Sequence, residues 1–465
     1  MEINQRLKIE EVCNPGKSSL LKFCSIKWNQ QVSIAPLVSF RIIFGLLMCF
    51  SLIRFWWRGW IEAVYILPQF HFNYWGFEWV TPPGNPGMYI LFIIIIISTI
   101  LIVLGLFYRI ATITFFLGFT YVELIDVTTY LNHYYFISLV AFIMIWLPAN
   151  RFLSLDVYFK PSIKRVYVPL FTVGILRFQL AIVYIFAGLA KLNYDWLILA
   201  EPMRTWLPAK SHLPIVGAFM YEEWVAYLFS WFGAIYDSLI VFFLLNRKTR
   251  SFAYVFVVIF HVATAIFFPG IGMFPYVMIA STVIFFSSDF HKKLLFRLTG
   301  DVLLISAPNS TNTYRFLFYK PLYIGVIIYI FFQIIIPLRF LFYSDHLFWS
   351  EEGYRFSWRV MLIEKSGNAI FTIKDGDKVY EVNNAQFLTP LQEKMMSTQP
   401  DLILQYAHYL ALEYKNKGLR NPEVYGEIYV TLNGIPSRLF IDSTINLARQ
   451  QLSWKHYKWV LPYTR

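Results

Sequence analysis

The sequence predicts a polytopic α-helical membrane domain of about nine spans followed by an extramembrane α+β domain. Three observations carry this prediction. The chain of 465 residues is 57% hydrophobic and 20% aromatic, with a mean hydropathy of +0.52, which is more apolar surface than a soluble globule can hide in its core. Apolar runs long enough for a bilayer recur along residues 34–343, separated by short basic loops. Beyond residue 343 these runs give way to period-two patterns and turn residues. The expected division is a cytoplasmic segment over 1–33, a multi-pass membrane domain over 34–343 and an outward-facing α+β domain over 344–465.

The first segment carries Lys8, Lys17, Lys22 and Lys27 and has no signal-peptide layout. The first apolar run, Ile34 to Ile53, is therefore expected to stay as an anchor. Residues 54–87 are aromatic and punctuated by Pro and Gly, a composition suited to a membrane–water interface. Further spans are expected at Met88 to Phe107, Ile110 to Leu124, Tyr134 to Leu147, Thr172 to Ala190, Trp224 to Leu245, Ser251 to Phe268, Met273 to Phe286 and Leu322 to Phe342. Two of them are short for a full crossing.

Orientation follows from the Lys/Arg content of short loops. One set of connections holds Arg109; Arg151, Lys160, Lys164 and Arg165; Asn246 to Arg250 (NRKTR); and the segment from Lys292 to Lys320. The opposite set, Asp126 to Asn132, Lys191 to Glu223 and Phe268 to Gly272, has no cation cluster. The reading is an integral protein of an inner (plasma) membrane, with a cytoplasmic N-terminus and a periplasmic or otherwise extracytoplasmic C-terminal domain. Lys191 then lies at the outer end of its span, His133 at the outer margin and His261 partway through a span.

In the last third, SWRVMLIE, NAIFTIK and KVYEVN read as strands, with DGD as the turn between the last two. Asp401 to Lys415 reads as a helix, and VYGEIYVTLNGIPSRLFID as two strands around an Asn-Gly turn. The net charge of +12 is spread over membrane-flanking loops, which points to anionic lipid and not to nucleic acid. Cys13, Cys24 and Cys49 have no metal or redox spacing. No metal motif, phosphate-cradling glycine loop or nucleophile elbow is present.

Four ionisable residues fall within or at the edge of spans: Arg177, Lys191, Asp237 and His261. Such residues are functional candidates, with structural pairing as the competing explanation. Arg177 and Asp237 both fall in the inner halves of their spans and are expected to form a structural ion pair or to be members of a polar network. Lys191 ends the apolar run FQLAIVYIFAGLAK. It is either a helix-end lysine reaching for water or an amine kept neutral by desolvation to act as a base. His133 alone reads as an interfacial hydrogen-bonding group, and His261 as a satisfied core histidine.

At these residues the chain resembles the vitamin K-dependent γ-glutamyl carboxylase family and its bacterial relatives, with their HTTM-type membrane domain. The matching segments are FRIIFGLLM (Phe40 to Met48), LGLFYRI (Leu104 to Ile110), LNHYYF around His133, FQLAIVYIFAGLAKLNYDW (Phe178 to Trp196) and IGMFPYVMIAS (Ile271 to Ser281). They continue with YRFSWRVM (Tyr354 to Met361) and EIYVTLNG, so that the resemblance spans roughly residues 35–460. It implies an enzyme of the carbon–carbon lyase class whose membrane domain oxidises reduced vitamin K, a menaquinol-like naphthohydroquinone, with O2. The strong base so formed acts on peptide glutamate, and CO2 traps the carbanion.

The implied base for the quinol is Lys191, with His133 stabilising charged intermediates and His261 as a further catalytic histidine. Quinone contacts are implied at Met273, Phe274 and Tyr276, and glutamate-substrate contacts at Tyr354, Phe356 and Trp358, with no metal. The implied partners are the lipid bilayer and a glutamate-containing peptide or protein, with no nucleic acid. Phe356 stands where the family carries a tyrosine, and Arg355 precedes it. Two alternatives stay open: a quinol epoxidase without physiological carboxylation, and a non-catalytic membrane protein that binds lipid or peptide.

Overall fold

The computed structural model describes residues 29–299, 312–316, 319–343 and 345–464. The basic lead through Lys27, Cys13, Cys24 and, in the connection between Lys292 and Lys320, residues 300–311 and 317–318 lie outside the described residues.

Among the described residues, seven helices are long and apolar enough to cross a membrane. In chain order the helices used below are α1 (Ala35–Trp57), α2 (Gly84–Leu104), α3 (Tyr108–Ile125), α4 (Asn132–Trp146), α5 (Phe171–Lys191), α6 (Glu223–Leu245), α7 (Arg250–Phe267), α8 (Phe274–Thr282) and α9 (Tyr319–Leu338). The expected short spans are α4 and α8, the latter prolonged by a 3-10 turn to Phe285. At 1.5 Å per residue α4 is about 22 Å long, against roughly 30 Å of hydrocarbon. Outward rows such as Ile90, Ile93, Ile94 and Ile97 on α2 are exposed. An all-apolar surface of this kind is stable against lipid tails, where the helix satisfies its own backbone.

Close helix contacts rest on glycine. A Cβ at Gly45 of α1 would lie 3.1 Å from the Thr99 carbonyl of α2, and one at Gly188 of α5 would lie 2.6 Å from the Ser238 nitrogen of α6. The second contact sets the stagger of α5 against α6. Gly188 is near the end of α5, whereas Ser238 lies some 22 Å into α6. The first part of α6 therefore rises past the end of α5 toward the C-terminal domain. Strands β1 (Gln31–Ser33) and β2 (Tyr167–Pro169) pair antiparallel at the opposite end of the bundle.

The C-terminal domain is a four-stranded antiparallel sheet in the order β4-β3-β5-β6, built from β3 (Lys365–Asp375), β4 (Lys378–Val382), β5 (Glu423–Leu432) and β6 (Arg438–Leu439). Period-two burial along β5 (Val424, Ile428, Val430, Leu432) turns one face onto helix α11 (Pro400–Asn416), whose Leu402, Tyr406 and Leu410 are buried. Phe371 meets Tyr406 edge-on across this layer at 5.1 Å. The DGD turn is as expected: Asp375 pairs with Lys378, and Gly376 supplies a φ of +61°.

Three features differ from the sequence reading. SWRVMLIE is not a strand: Phe356, Trp358 and Met361 have φ of +59°, +59° and +54°, which breaks any ladder, and pairing starts at Lys365. Helix α10 (Pro390–Met396), capped by Thr389 and Gln392, was hidden by its shortness. The return strand after Asn433-Gly434 keeps only the two residues of β6.

Polar contacts seat the C-terminal domain on the bundle. Gln392 donates to the Phe70 carbonyl (2.7 Å) and to Asp126 (2.9 Å), Gln405 brackets the Asn73 backbone, and Asn433 donates to Asp195 (2.9 Å). Asn132, at the start of α4, donates to the Arg359 carbonyl (2.9 Å). Around these contacts room is left between bundle and domain.

Candidate functional site

That room is divided into two adjoining cavities. The smaller, about 310 Å³, lies among α5, α6, α7 and α8 and is mostly apolar. Residues 184, 187 and 191 follow helical spacing and bring Tyr184, Ala187 and Lys191 to its wall from α5. Lys191 is 5% exposed; its Nζ donates to Asp237 Oδ2 at 2.7 Å and to the Ala187 carbonyl at 3.3 Å, and sits 5.3 Å from the Trp196 ring. Asp237, 6% exposed, comes from α6 through the stagger set at Gly188.

Of the two structural readings of Arg177 and Asp237, the mutual ion pair is therefore corrected, and each makes polar contacts of its own. Arg177 lies about 21 Å down α5 from Lys191 and donates to the carbonyls of Ile284 (2.9 Å) and Phe286 (3.1 Å). Of the two readings of Lys191, reaching for water is excluded by its burial and its carboxylate partner. Breaking such a buried pair on one side costs about 3–5 kcal/mol.

His261 on α7 is buried and lines the same cavity. Its Nε2 shares a hydrogen bond with the Tyr184 hydroxyl (3.2 Å), which also bonds Thr282 (3.2 Å), while its Nδ1 has no partner among the described residues. The remaining walls include Phe229, Phe260, Phe274 and Met278, together with Leu228, Phe232 and Ile259, which are at the same time exposed on the outer surface of α6 and α7. The cavity thus opens sideways between these two helices.

The larger cavity, about 800 Å³, lies between the bundle and the C-terminal domain. His133, the second residue of α4, lines it, 6.1 Å from Phe274 between ring centres. Four cationic side chains, Lys210, Arg355, Arg359 and Lys394, share its wall with Glu351 and Glu364. Arg355 is engaged by Asp401 (2.5 and 3.2 Å) and Gln399, and Asp401 holds its guanidinium above the ordinary arginine range. Arg359 differs: its guanidinium packs 4.5 Å over Phe340, its Nε has no partner among the described residues, and burial pushes it down to about 10. The two cavities share Phe268, Ile271, Phe274, Val360 and Met361 as a common wall.

The residues singled out in the sequence are thus divided. Lys191 and His261 line the smaller cavity, His133 and Tyr354 the larger, and Phe274 both. Met273 is buried at the start of α8 without lining either cavity, and Tyr276 is 52% exposed. Phe274 and Met278, one turn apart, hold the cavity face of α8, which turns Tyr276 to the opposite side.

Phe356 and Trp358 also miss the cavities. Phe356 packs on Tyr74, Tyr130 and Tyr135, and Trp358 stacks on Tyr135 at 5.0 Å. The left-handed turns at both residues direct Arg359, Val360 and Met361 to the cavities instead. Sequence reasoning missed Tyr184, legible as one face with Ala187 and Lys191, and Arg359, which had no signal beyond its place in YRFSWRVM.

The family model of the HTTM domain matches residues 29–290, and that of the vitamin K-dependent gamma-carboxylase lumenal domain matches residues 319–465. No solved structure matches the chain. The two matches meet physically at the site: Asp195, in the AGLAKLNYDW segment of the first, accepts from Asn433, in the EIYVTLNG segment of the second. Two domains of this kind, in this order and docked beside the two adjoining cavities that hold Lys191 and His133, are the organisation of one family, and this integral membrane chain belongs to the vitamin K-dependent gamma-carboxylase family.

Proposed function

We propose that the protein couples O2-dependent oxidation of a reduced naphthoquinone, in the smaller cavity, to carboxylation of a peptide glutamate in the larger one. One observation carries the reading. A buried lysine–aspartate pair in an apolar, laterally open cavity shares a wall with a cation-lined cavity facing the C-terminal domain. In this reading Lys191, His133 and His261 are the catalytic residues, and residues 34–343 form the catalytic domain.

The residues present fit a naphthohydroquinone. Aromatic and aliphatic walls suit a bicyclic ring, the volume is at the lower end of the roughly 300–1,000 Å³ typical of small-molecule sites, and the opening between α6 and α7 suits an isoprenoid tail left in lipid. Polar partners for two hydroxyls are available at Lys191–Asp237 and at His261, whose Nδ1 lacks a partner among the described residues. When bound, this group supplies with oxygen the strong base that removes a glutamate γ-proton.

The chain's own part is to handle protons and exclude water. Lys191 Nζ and Asp237 Oδ2 share one proton at 2.7 Å. Passing it to the carboxylate leaves the Nζ lone pair free to accept a hydroxyl proton, the step a general base must make. The His261–Tyr184–Thr282 chain, with the tyrosine hydroxyl in the middle, fixes a second polar contact. Apolar walls keep out the water that would quench a strong base.

In the larger cavity Arg359, with Lys210 and Lys394, is the choice for holding a carboxylate, because Arg355 is already bound to Asp401. His133, beside Phe274 at the shared wall, sits where charge passes between the two half-reactions. The N-terminus is cytoplasmic in this reading, and the peptide reaches the site from the side of the C-terminal domain.

The test is the purified protein with reduced naphthoquinone, O2, labelled CO2 and a glutamate peptide. Lys191→Ala should abolish epoxide formation while the protein stays monodisperse and folded. Unchanged epoxide in that variant removes Lys191 from the mechanism. Wild-type epoxide without label reduces the function to quinol epoxidation, and bound quinone without turnover reduces it to binding.

A further inference from the structure

At the other end of the bundle lies a third cavity, of about 850 Å³, among α4, α5 and α9. Its position is fixed by α3, which ends at Ile125 beside the Asp126 that accepts from Gln392 of the C-terminal domain, and starts at Tyr108 next to the cavity-lining Arg109. Arg109 is thus about 25 Å from the domain interface along the helix.

The lining has a sharp division of character. Phe142, Trp146, Ile175, Leu322 and Val326 form apolar walls, whereas Arg109, Arg151, Arg165 and Arg315 contribute four cations, and no Asp or Glu is among the described residues that line it. Arg165 donates to the carbonyls of Ser162 and Lys164. The Arg151 guanidinium packs over the Tyr314 ring at 5.4 Å, and its buried Nε has no partner among the described residues. Arg109 and Arg315 are exposed. Phe142 and Trp146 line the cavity while being 37% and 49% exposed, so it opens to the side into the hydrocarbon layer.

A cavity with cations at the membrane end and an apolar trough reaching into the bilayer has the complement of one kind of molecule: a headgroup with negative charge carrying acyl chains. A soluble anion would fill only the cationic end and make no use of the apolar trough, and a zwitterionic lipid would bring its own cation to four arginines. We infer that this cavity seats one anionic phospholipid from the leaflet opposite the C-terminal domain, with the phosphodiester among the arginines and an acyl chain along Phe142, Trp146 and Val326. Basic pockets between membrane helices bind anionic headgroups by this combination. The inference is independent of the chemistry proposed for the other two cavities.

The experiment is native mass spectrometry of the full chain, delipidated in detergent micelles and titrated with dioleoylphosphatidylglycerol or dioleoylphosphatidylcholine. The expected result is a single phosphatidylglycerol retained in preference to phosphatidylcholine, with the preference reduced about fivefold for each charge lost in Arg109→Gln and Arg315→Gln. Both are exposed positions, so these variants should fold. As a second readout, phosphatidylglycerol brominated on its acyl chains should quench the tryptophan fluorescence of the wild type more than that of Trp146→Phe. Equal retention of the two lipids, an unchanged preference in the double variant, or displacement of the bound lipid by millimolar inorganic phosphate would overturn the inference.

Discussion

In the proposed function the chemistry turns on the contact between Lys191 and Asp237. Each group alone would be a costly buried charge, and each makes the other tolerable. Asp237→Asn should lower stability by about 3–5 kcal/mol, because it strands the lysine. Adding Lys191→Met to that variant should restore part of the loss, since no charge is then left buried without a partner. Thermal unfolding of the three proteins in the same micelle checks this; a single variant as stable as the wild type would mean that the pair does not form. Arg359 belongs to the same scale. Arg359→Gln should raise the KM for a glutamate peptide roughly tenfold or more, the size expected when one charge-assisted contact is lost. Epoxide formation without peptide should be unchanged.

At the scale of elements, the stagger of α5 on α6 decides which residues meet. Apolar runs told the length of each span, and all nine appear as helices at the expected places. Run length does not report axial offset, which is why Asp237 was matched with Arg177. The offset comes from Gly188, where only the absence of a side chain lets the Ser238 backbone approach. Gly188→Ala should push the helices apart, cost about 1–3 kcal/mol by overpacking and weaken the Lys191–Asp237 bond; activity lost beyond the loss of stability is the sign to look for.

The segment 354–361 shows the opposite limit. Its alternating polar and apolar residues imitate a strand, and nothing in the composition announces three left-handed residues at Phe356, Trp358 and Met361. Bulky residues in that region are strained, and such strain gathers where a chain aims side chains at a site. Here Arg359 lines the larger cavity, as Tyr354 does, whereas Phe356 and Trp358, which the family resemblance had also singled out, pack on tyrosines instead.

For the whole molecule, the issue is how two cavities stay in register. Both touch the interface between bundle and C-terminal domain, and Asn433–Asp195 and Asn132–Arg359 fasten that interface close to each. Asn433→Ala should therefore leave epoxidation nearly intact but lower the label incorporated per epoxide, because the domain is loosened and not the lysine. Equal losses in both products would show that this contact serves folding alone. Residue identity at the site was legible in the sequence for Lys191, His133 and His261. Their division between two cavities was not, since the larger cavity is walled by residues of the C-terminal domain some 200 residues away in the chain from His133.

The most direct measurement is epoxide and incorporated label, counted separately in one reaction, for wild type, Lys191→Ala and Arg359→Gln. The account predicts both products from the wild type, neither from Lys191→Ala, and epoxide with little label from Arg359→Gln. Label incorporated by Lys191→Ala at the wild-type rate would contradict it.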